Sequence, residues 1–209
     1  MFVLALLKDT IIVKPHQFKD DFKERIAHVI NTRFANKVIP DVGLGISLYD
    51  IKHVSDSHIL PGDGCSHTEV TFRLIVFRPF IGQIIEGVVL KSEKEGVYVT
   101  MDFFDDIVVP PNRLPQNSRF DPGEQAWYWA YKPNEDEDEM KLFMDGGKRV
   151  RVRVTKEIFT DVRPEEKASG KKPYVIEASM AENGLGCRLW WAGENAEDDE
   201  DEEEDEEME

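Results

Sequence analysis

Val76-Phe77-Arg78-Pro79-Phe80-Ile81-Gly82-Gln83-Ile84-Ile85-Glu86-Gly87-Val88-Val89 is the stretch on which the reading of this chain turns. A β-branched and aromatic run reaches Phe77. Pro79 lacks a backbone donor and disfavours continuation of a ladder, and a fresh glycine-bearing run opens at Ile84. The stretch reads as a junction between two small domains with almost no linker, residues 1–79 before it and 80–193 after it. So short a junction is expected to hold the angle between the two modules.

Upstream, residues 2–13 read as a buried first strand, with Asp9-Thr10 marking a kink. Pro15 suits the first turn of a helix, and Phe18, Phe22, Ile26, Val29, Ile30 and Phe34 recur at spacings of three and four. That predicts an amphipathic helix of about five turns running to Phe34. Residues 37–39, 44–51 and 70–77 suit strands, and Leu60-Pro61-Gly62-Asp63-Gly64 is a turn signal. The first domain is therefore expected to be α+β: a β-α-β-β sheet with one long helix packed on it.

Downstream the pattern changes to short strands, at 84–90, 96–100, 107–109, 150–155 and 174–180. Five short strands separated by turns suggest an all-β, five-stranded barrel of the OB type. Two longer excursions interrupt it, near 110–147 and 164–173. Residues 194–209 carry 13 acids and no base, and cannot bury enough apolar surface to offset ordering entropy, so a disordered tail is expected there.

The net charge of −16 belongs to appendages. Outside the tail and the run Glu135-Asp136-Glu137-Asp138-Glu139, the body holds 24 acids against 26 Lys and Arg and is close to neutral. Overall acidity thus says little about whether a folded face meets nucleic acid. Cys65 and Cys187 are far apart, with no CxxC pair or Cys/His cluster, which argues against zinc and for a reducing compartment. Met1 to Leu7 is apolar, but Lys8 and Asp9 follow at once. The segment is too short to span a membrane and lacks the features of a signal peptide, so the chain reads as a soluble intracellular protein with no membrane partner.

Catalytic and cofactor motifs are missing: there is no GxxxxGK[ST] loop and no HExxH. His16, His28, His53, His58 and His67 are scattered, and Asp102, Asp105 and Asp106 read as a solvated turn ahead of a possible Mg2+ site. No cofactor and no metal are expected. The more informative pattern is Arg149-Val150-Arg151-Val152-Arg153-Val154, where alternation sends three valines inward and three arginines outward. Gly96-Val97-Tyr98-Val99-Thr100 alternates likewise and sets Tyr98 outside, with Phe103-Phe104 on the following connection. Rings beside arginines suit single-stranded RNA, in which bases stack and phosphates meet guanidinium groups, which makes Tyr98, Phe104, Arg149, Arg151 and Arg153 the candidate contacts. A solvated charged face with Tyr98 as a cross-strand partner is the alternative, and the residues leave both open. In Trp127-Tyr128-Trp129-Ala130-Tyr131 the alternation sets Trp127, Trp129 and Tyr131 on one face, and core packing is expected of the two tryptophans.

Taken together, Met1-Phe2-Val3-Leu4, Ala35-Asn36-Lys37-Val38, Pro61-Gly62-Asp63-Gly64, Phe77-Arg78-Pro79-Phe80 and Gly87-Val88 resemble the larger stalk subunits of DNA-directed RNA polymerases. That family takes in the RNA polymerase II stalk and its archaeal counterpart. Phe103-Phe104-Asp105-Asp106-Ile107-Val108-Val109-Pro110-Pro111, Trp127-Tyr128-Trp129, Gly184-Leu185-Gly186 and Trp190-Trp191 resemble its RNA polymerase III branch. The resemblance implies a non-catalytic nuclear subunit that pairs as a heterodimer with a smaller helical stalk subunit. It implies docking on the RNA polymerase III core through Pro61, Gly62, Asp63 and Gly64. It further implies an S1-type barrel near nascent RNA and initiation factors, supporting transcription initiation of small structured RNA genes. A stalk subunit of polymerase I or II, or a free S1-domain regulator, are the alternatives.

Overall fold

Asp21 decides where the one α-helix among the described residues begins. Its Oδ1 accepts hydrogen bonds from the Lys23 and Glu24 backbone amides at 2.9 and 3.0 Å, satisfying donors that a helix start leaves open. The computed structural model describes residues 1–19, 21–62, 64–132, 139–162 and 171–191, and in it α1 runs over Phe22–Phe34. The expected five-turn helix is thus shorter. Pro15–Gln17 forms a separate 3-10 turn, in which the Gln17 side chain accepts from the Lys14 amide, and Phe18 lies outside α1 and is exposed.

The chain divides into two compact units, Met1–Phe80 with Phe159–Tyr174, and Ile81–Ile158 with Val175–Glu209. The boundary therefore falls one residue past the expected one, and the end of the second excursion groups with the first unit. In the first unit, β1 (Phe2–Val13), β2 (Lys37–Ile39), β3 (Gly43–Ile59) and β4 (Ser66–Phe77) form an antiparallel sheet in the order β1-β4-β3-β2. Ile26 and Ile30 of α1 pack with Ile11, Val13, Val70, Phe72, Leu74 and Val76 as one buried cluster.

Three expectations are corrected here. β1 pairs with β4 residue for residue from Phe2 to Val13, so Asp9-Thr10 makes no kink. Nor is β1 buried. It lies at the edge of the sheet, α1 covers one face, and Phe2, Leu4, Leu6 and Ile12 on the other face are exposed. The β3–β4 hairpin is longer than its apolar runs, because backbone pairing continues through the polar stretch His53 to His58. Register shifts interrupt β3 at four places, and at one of them the Asn31 carboxamide oxygen of α1 accepts from the Leu48 amide at 2.7 Å.

On the solvent face of this sheet, Arg73 donates to both carboxylate oxygens of Asp50, at 2.8 and 2.7 Å, and lies over the Tyr49 ring. The Arg73 guanidinium, helped by Lys52, holds the Asp50 carboxyl down at about 2. Because the folded value is depressed, the stabilisation from this group is complete above the ordinary aspartate range and is lost as pH falls through about 2. A carboxyl-detected NMR titration is expected to place Asp50 near 2, and Arg73→Gln should return it towards the ordinary value of 3.8.

In the second unit, β5 (Ile84–Glu93), β6 (Gly96–Thr100), β7 (Ile107–Val109), β11 (Arg149–Phe159) and β12 (Tyr174–Ser179) close a five-stranded barrel. β5-β6-β7 is an antiparallel meander, β7 pairs with β12 in parallel, and β11 closes the ring between β12 and β5. This is the S1/OB-type arrangement. A two-residue strand, β13 (Gly186–Cys187), adds to the start of β11. Val97, Val99, Ile107, Val109, Val150, Val152, Val154 and Ile176 point inward and are buried.

The excursion near 110–147 carries its own three-stranded antiparallel sheet of β8 (Ser118–Asp121), β9 (Ala126–Tyr131) and β10 (Met140–Phe143), with β9 central. The face of β9 that buries is Ala126, Tyr128 and Ala130; Trp127 and Trp129 are only half-buried, which reverses the expected choice. The indoles act as ties. Trp127 donates from Nε1 to the Glu93 carbonyl at 2.7 Å, and Trp129 packs against Trp190 and Trp191 at 5.4 and 6.3 Å between centroids. Of the acidic run 135–139 only Glu139 is described; residues 135–138, 164–170 of the second excursion and the tail 194–209 lie outside the described residues.

Candidate nucleic-acid interface and docking loop

β11 places its arginines by simple alternation, because the valines between them fill the barrel. The three guanidinium groups nevertheless have different surroundings. Arg149 is exposed and pairs across the ladder with Val88 of β5, beside Thr100 of β6. Arg151 is exposed but bonded, Nε to Glu86 Oε1, at 2.7 Å. Arg153 is half-buried, donating to the Gly82 carbonyl at 3.2 Å and pairing with Glu182 at 2.9 Å. Arg153 thus ties the start of the unit and the 179–186 loop to the barrel, and is the least available of the three.

A shallow cleft of about 360 Å3 opens on this face between Glu86, Val88, Asp102, Arg149, Arg151 and Arg188. Arg188 was not among the sequence candidates. β11 pairs with β13 through Val150–Cys187 and Arg151–Gly186, and Arg188, which opens the 3-10 turn Arg188–Trp190 directly after β13, lines the same cleft as Arg149. Nothing local in Gly186-Cys187-Arg188 announces this, because the pairing joins residues far apart in the chain.

Tyr98 points outward from β6 as expected, two residue pairs beyond the Thr100–Val88–Arg149 row. One face of its ring is covered by the Lys91 ammonium, 4.5 Å from the centroid, and Lys91 is itself bonded to Glu93 at 2.8 Å. Glu93, with Tyr98 adding to it, raises the Lys91 ammonium above its ordinary range. Phe104 is a correction: it is buried, with 5% of its surface exposed, while its neighbour Phe103 is 44% exposed. The chain reverses at Asp102, which has φ of +62°, and the Met101 amide donates to the Phe104 carbonyl, so the turn carries Phe104 inward. A ring held in the core offers no face to a base. Asp105 accepts from the Thr100 hydroxyl, and among the described residues no His, Cys, Asp or Glu cluster of metal-binding geometry occurs.

The loop at the end of the β3–β4 hairpin belongs to the first unit. Pro61 and Gly62 are exposed, Asp63 lies outside the described residues, and the Gly64 amide donates to the Leu60 carbonyl at 3.3 Å. Gly62 and Gly64 have φ of +95° and +69°, the left-handed region in which a side chain is strained. The residues missed beside it are Ile59 and Leu60, 62% and 49% exposed at the hairpin end. An apolar pair directly before Pro-Gly was the available signal.

Neither cysteine is in a disulfide; Cys187 is buried, which pushes its thiol up to about 12, and Cys65 is half-exposed. No helix among the described residues is long and apolar enough to cross a membrane.

A four-stranded sheet with one helix, followed by a closed five-stranded barrel with a basic outer strand, defines a two-unit protein of the S1-bearing class. Residues 8–64 match the SHS2 domain found in the N terminus of Rpb7p, Rpc25p and MJ0397, and residues 83–191 match RNA polymerase III subunit Rpc25. The chain is 41% identical over 203 residues to the DNA-directed RNA polymerase III subunit RPC8 of Bos taurus, covering 91% of this chain and 98% of the relative. It is 36% identical over 216 residues to the subunit of the same description from Saccharomyces cerevisiae, covering 91% and 100%. To RNA polymerase II subunit RPB7 of that yeast it is 28% identical over 106 residues, covering 51% and 57%. The chain belongs to the RNA polymerase III subunit Rpc25 family.

Proposed function

We propose that this chain is a non-catalytic stalk subunit of RNA polymerase III, acting in the nucleus as a heterodimer with a smaller helical subunit. The observation that carries this reading is similarity to polymerase III subunits that extends across both units and nearly the full length of each relative. The first unit would dock on the polymerase core through Pro61, Gly62, Asp63 and Gly64, with Ile59 and Leu60 supplying apolar area beside them. The barrel would meet nascent RNA and initiation factors during initiation at small structured RNA genes. A tagged pull-down from native extract with mass spectrometry tests this. Recovery of polymerase III-specific core subunits with a small helical partner is expected; polymerase I or II subunits, or RNA-bound proteins alone, would overturn it.

The RNA-contacting surface is best assigned to Arg149, Arg151 and Tyr98, with Arg188 completing the cleft. Arg153 serves the barrel itself, and Phe104 is withdrawn because it is buried. Each phosphate contact to a single strand contributes about −0.7 to the slope of log K against log salt. Arg149→Ser with Arg151→Ser should therefore weaken RNA binding and flatten that slope by about 1.4. An unchanged slope in a filter-binding salt series would remove RNA contact from this face.

A further inference from the structure

We propose that a cavity in the second unit receives one unstacked adenine base of a single strand whose phosphates lie in the neighbouring basic cleft. The proposal rests on the RNA reading above and adds to it a site for a base. The cavity, of about 290 Å3, opens between Pro115-Gln116, β9 and the loop 180–185. Part of its lining is aromatic. Trp129 and Trp191 face it, and Trp191 keeps 44% of its surface exposed. The Trp191 indole is set in one orientation: its Nε1 donates to the Leu185 carbonyl at 2.8 Å, and its ring lies 6.3 Å from that of Trp129. Trp129 is held in turn by Tyr131 and Trp190, at 4.8 and 5.4 Å between centroids. Met180 and Leu185, both buried, add apolar surface. A ring fixed before binding loses little freedom when a planar base stacks on it.

Three polar side chains also line the cavity, Gln116, Glu182 and Asn183. Gln116 and Asn183 are exposed, and among the described residues their carboxamides make no hydrogen bond. Glu182 is held by Arg153 through Oε2 at 2.9 Å, which leaves its other oxygen as an acceptor. The loop that carries it is anchored, because the Met180 amide donates to the Arg113 carbonyl at 2.8 Å and the Leu185 amide to the Glu182 carbonyl at 3.2 Å. Apolar walls with a few convergent polar groups suit one planar ligand. A carboxamide pairs with adenine by two bonds, through N6 and N7, and a carboxylate accepts from an exocyclic amine. Guanine sets a carbonyl beside its N7, and uracil has no exocyclic amine. The base comes from a strand and not from a free nucleotide, since among the described residues no Lys or Arg lines the cavity to hold a nucleotide's own phosphate. Arg188 lines the basic cleft and opens the turn Arg188–Trp190, and the Trp191 amide closes that turn on the Arg188 carbonyl at 3.1 Å. Three residues of 3-10 turn advance about 6 Å, so a strand whose phosphates meet the arginines brings a neighbouring base to Trp191.

The test uses the full-length chain with adenosine and uridine oligonucleotides of about 12 residues, and with AMP alone. The adenosine strand is expected to bind about tenfold more tightly than the uridine strand and to quench the tryptophan emission. Gln116→Ala with Asn183→Ala should bring the adenosine strand down to the uridine strand; both residues are exposed, so the fold is expected to stand. Trp191→Ala should weaken adenosine-strand binding about tenfold, and Trp191→Phe, which keeps a ring, should restore most of it. Equal binding of the two strands, or a preference that survives the Gln116 and Asn183 changes, would overturn the base site. In that event loss of binding on Arg149→Ser with Arg151→Ser would show that the RNA reading still holds. If neither strand binds, the RNA reading has failed, and the side-chain amide resonances of Gln116 and Asn183 decide the cavity. Shifts with AMP would make it a site for a free nucleotide and overturn the strand as the source, whereas unmoved resonances would overturn the site outright.

Discussion

Gly87→Val is expected to destabilise the barrel by about 3 kcal/mol, or roughly 10–20 °C in the melting midpoint. A Cβ at position 87 would lie 2.5 Å from the Thr100 carbonyl oxygen and 2.7 Å from Val99 Cγ1. Neither neighbour can retreat easily. Thr100 O is backbone of β6, and the Val99 side chain is fully buried in the barrel. β5 cannot move away from β6 either, because Gly87 pairs on its other side with Val150 of β11, so relief on one seam of a closed barrel opens the next. All four tryptophans, at 127, 129, 190 and 191, lie in the second unit, which makes their emission a reporter of that unit. Gly146→Ala is the control: its Cβ would meet nothing closer than 3.6 Å, and its midpoint should stay within a degree or two. A Gly87→Val transition indistinguishable from the parent would show that β5 and β6 are not packed this closely.

Phe72→Ala should cost about 3–5 kcal/mol in the first unit, the range for emptying a large aromatic site in a packed core. Phe72 sits mid-strand in β4, is fully buried, and packs its ring 5.5 Å from that of Phe34 at the end of α1. β4 is flanked by β1 and β3 and lies under α1, so the cavity has rigid walls that collapse poorly. The first unit contains no tryptophan, and the loss is best read by amide hydrogen exchange of β1 and β4. A change in protection below about 1 kcal/mol would mean that the site closes over the gap. Under the proposed function, the same substitution should lower recovery of polymerase core subunits, since the docking loop is carried by the hairpin that β4 completes.

The parts of the fold that were legible in the sequence are those governed by short-range periodicity. Alternating valines in β11 and β6 located barrel strands and their inward faces, and the three-and-four spacing of Ile26, Val29, Ile30 and Phe34 located α1. Where local preference was equivocal, the sequence misled. Pro15 is as good a first-turn residue as Asp21 is a cap, and only the bonds to Lys23 and Glu24 show which of them starts the helix. His53 to His58 has no apolar rhythm, because backbone pairing with β4 holds that strand more than burial does. In the aromatic run of β9, alternation defined two faces but not which one turns inward.

By itself the sequence determined two units, their order, the barrel class, and, through motifs spread along nearly the whole chain, the family. Side-chain period and turn chemistry are local properties, and resemblance is a property of residue order, so neither requires coordinates. Only the tertiary structure decided which candidate residues are available. It buried Phe104 at a turn, committed Arg153 to Gly82 and Glu182, covered one face of Tyr98 with Lys91, and brought Arg188 into one cleft with Arg149. Exposure and charge pairing depend on strands that meet from distant parts of the chain, and long-range pairing leaves no local mark on the residues it joins.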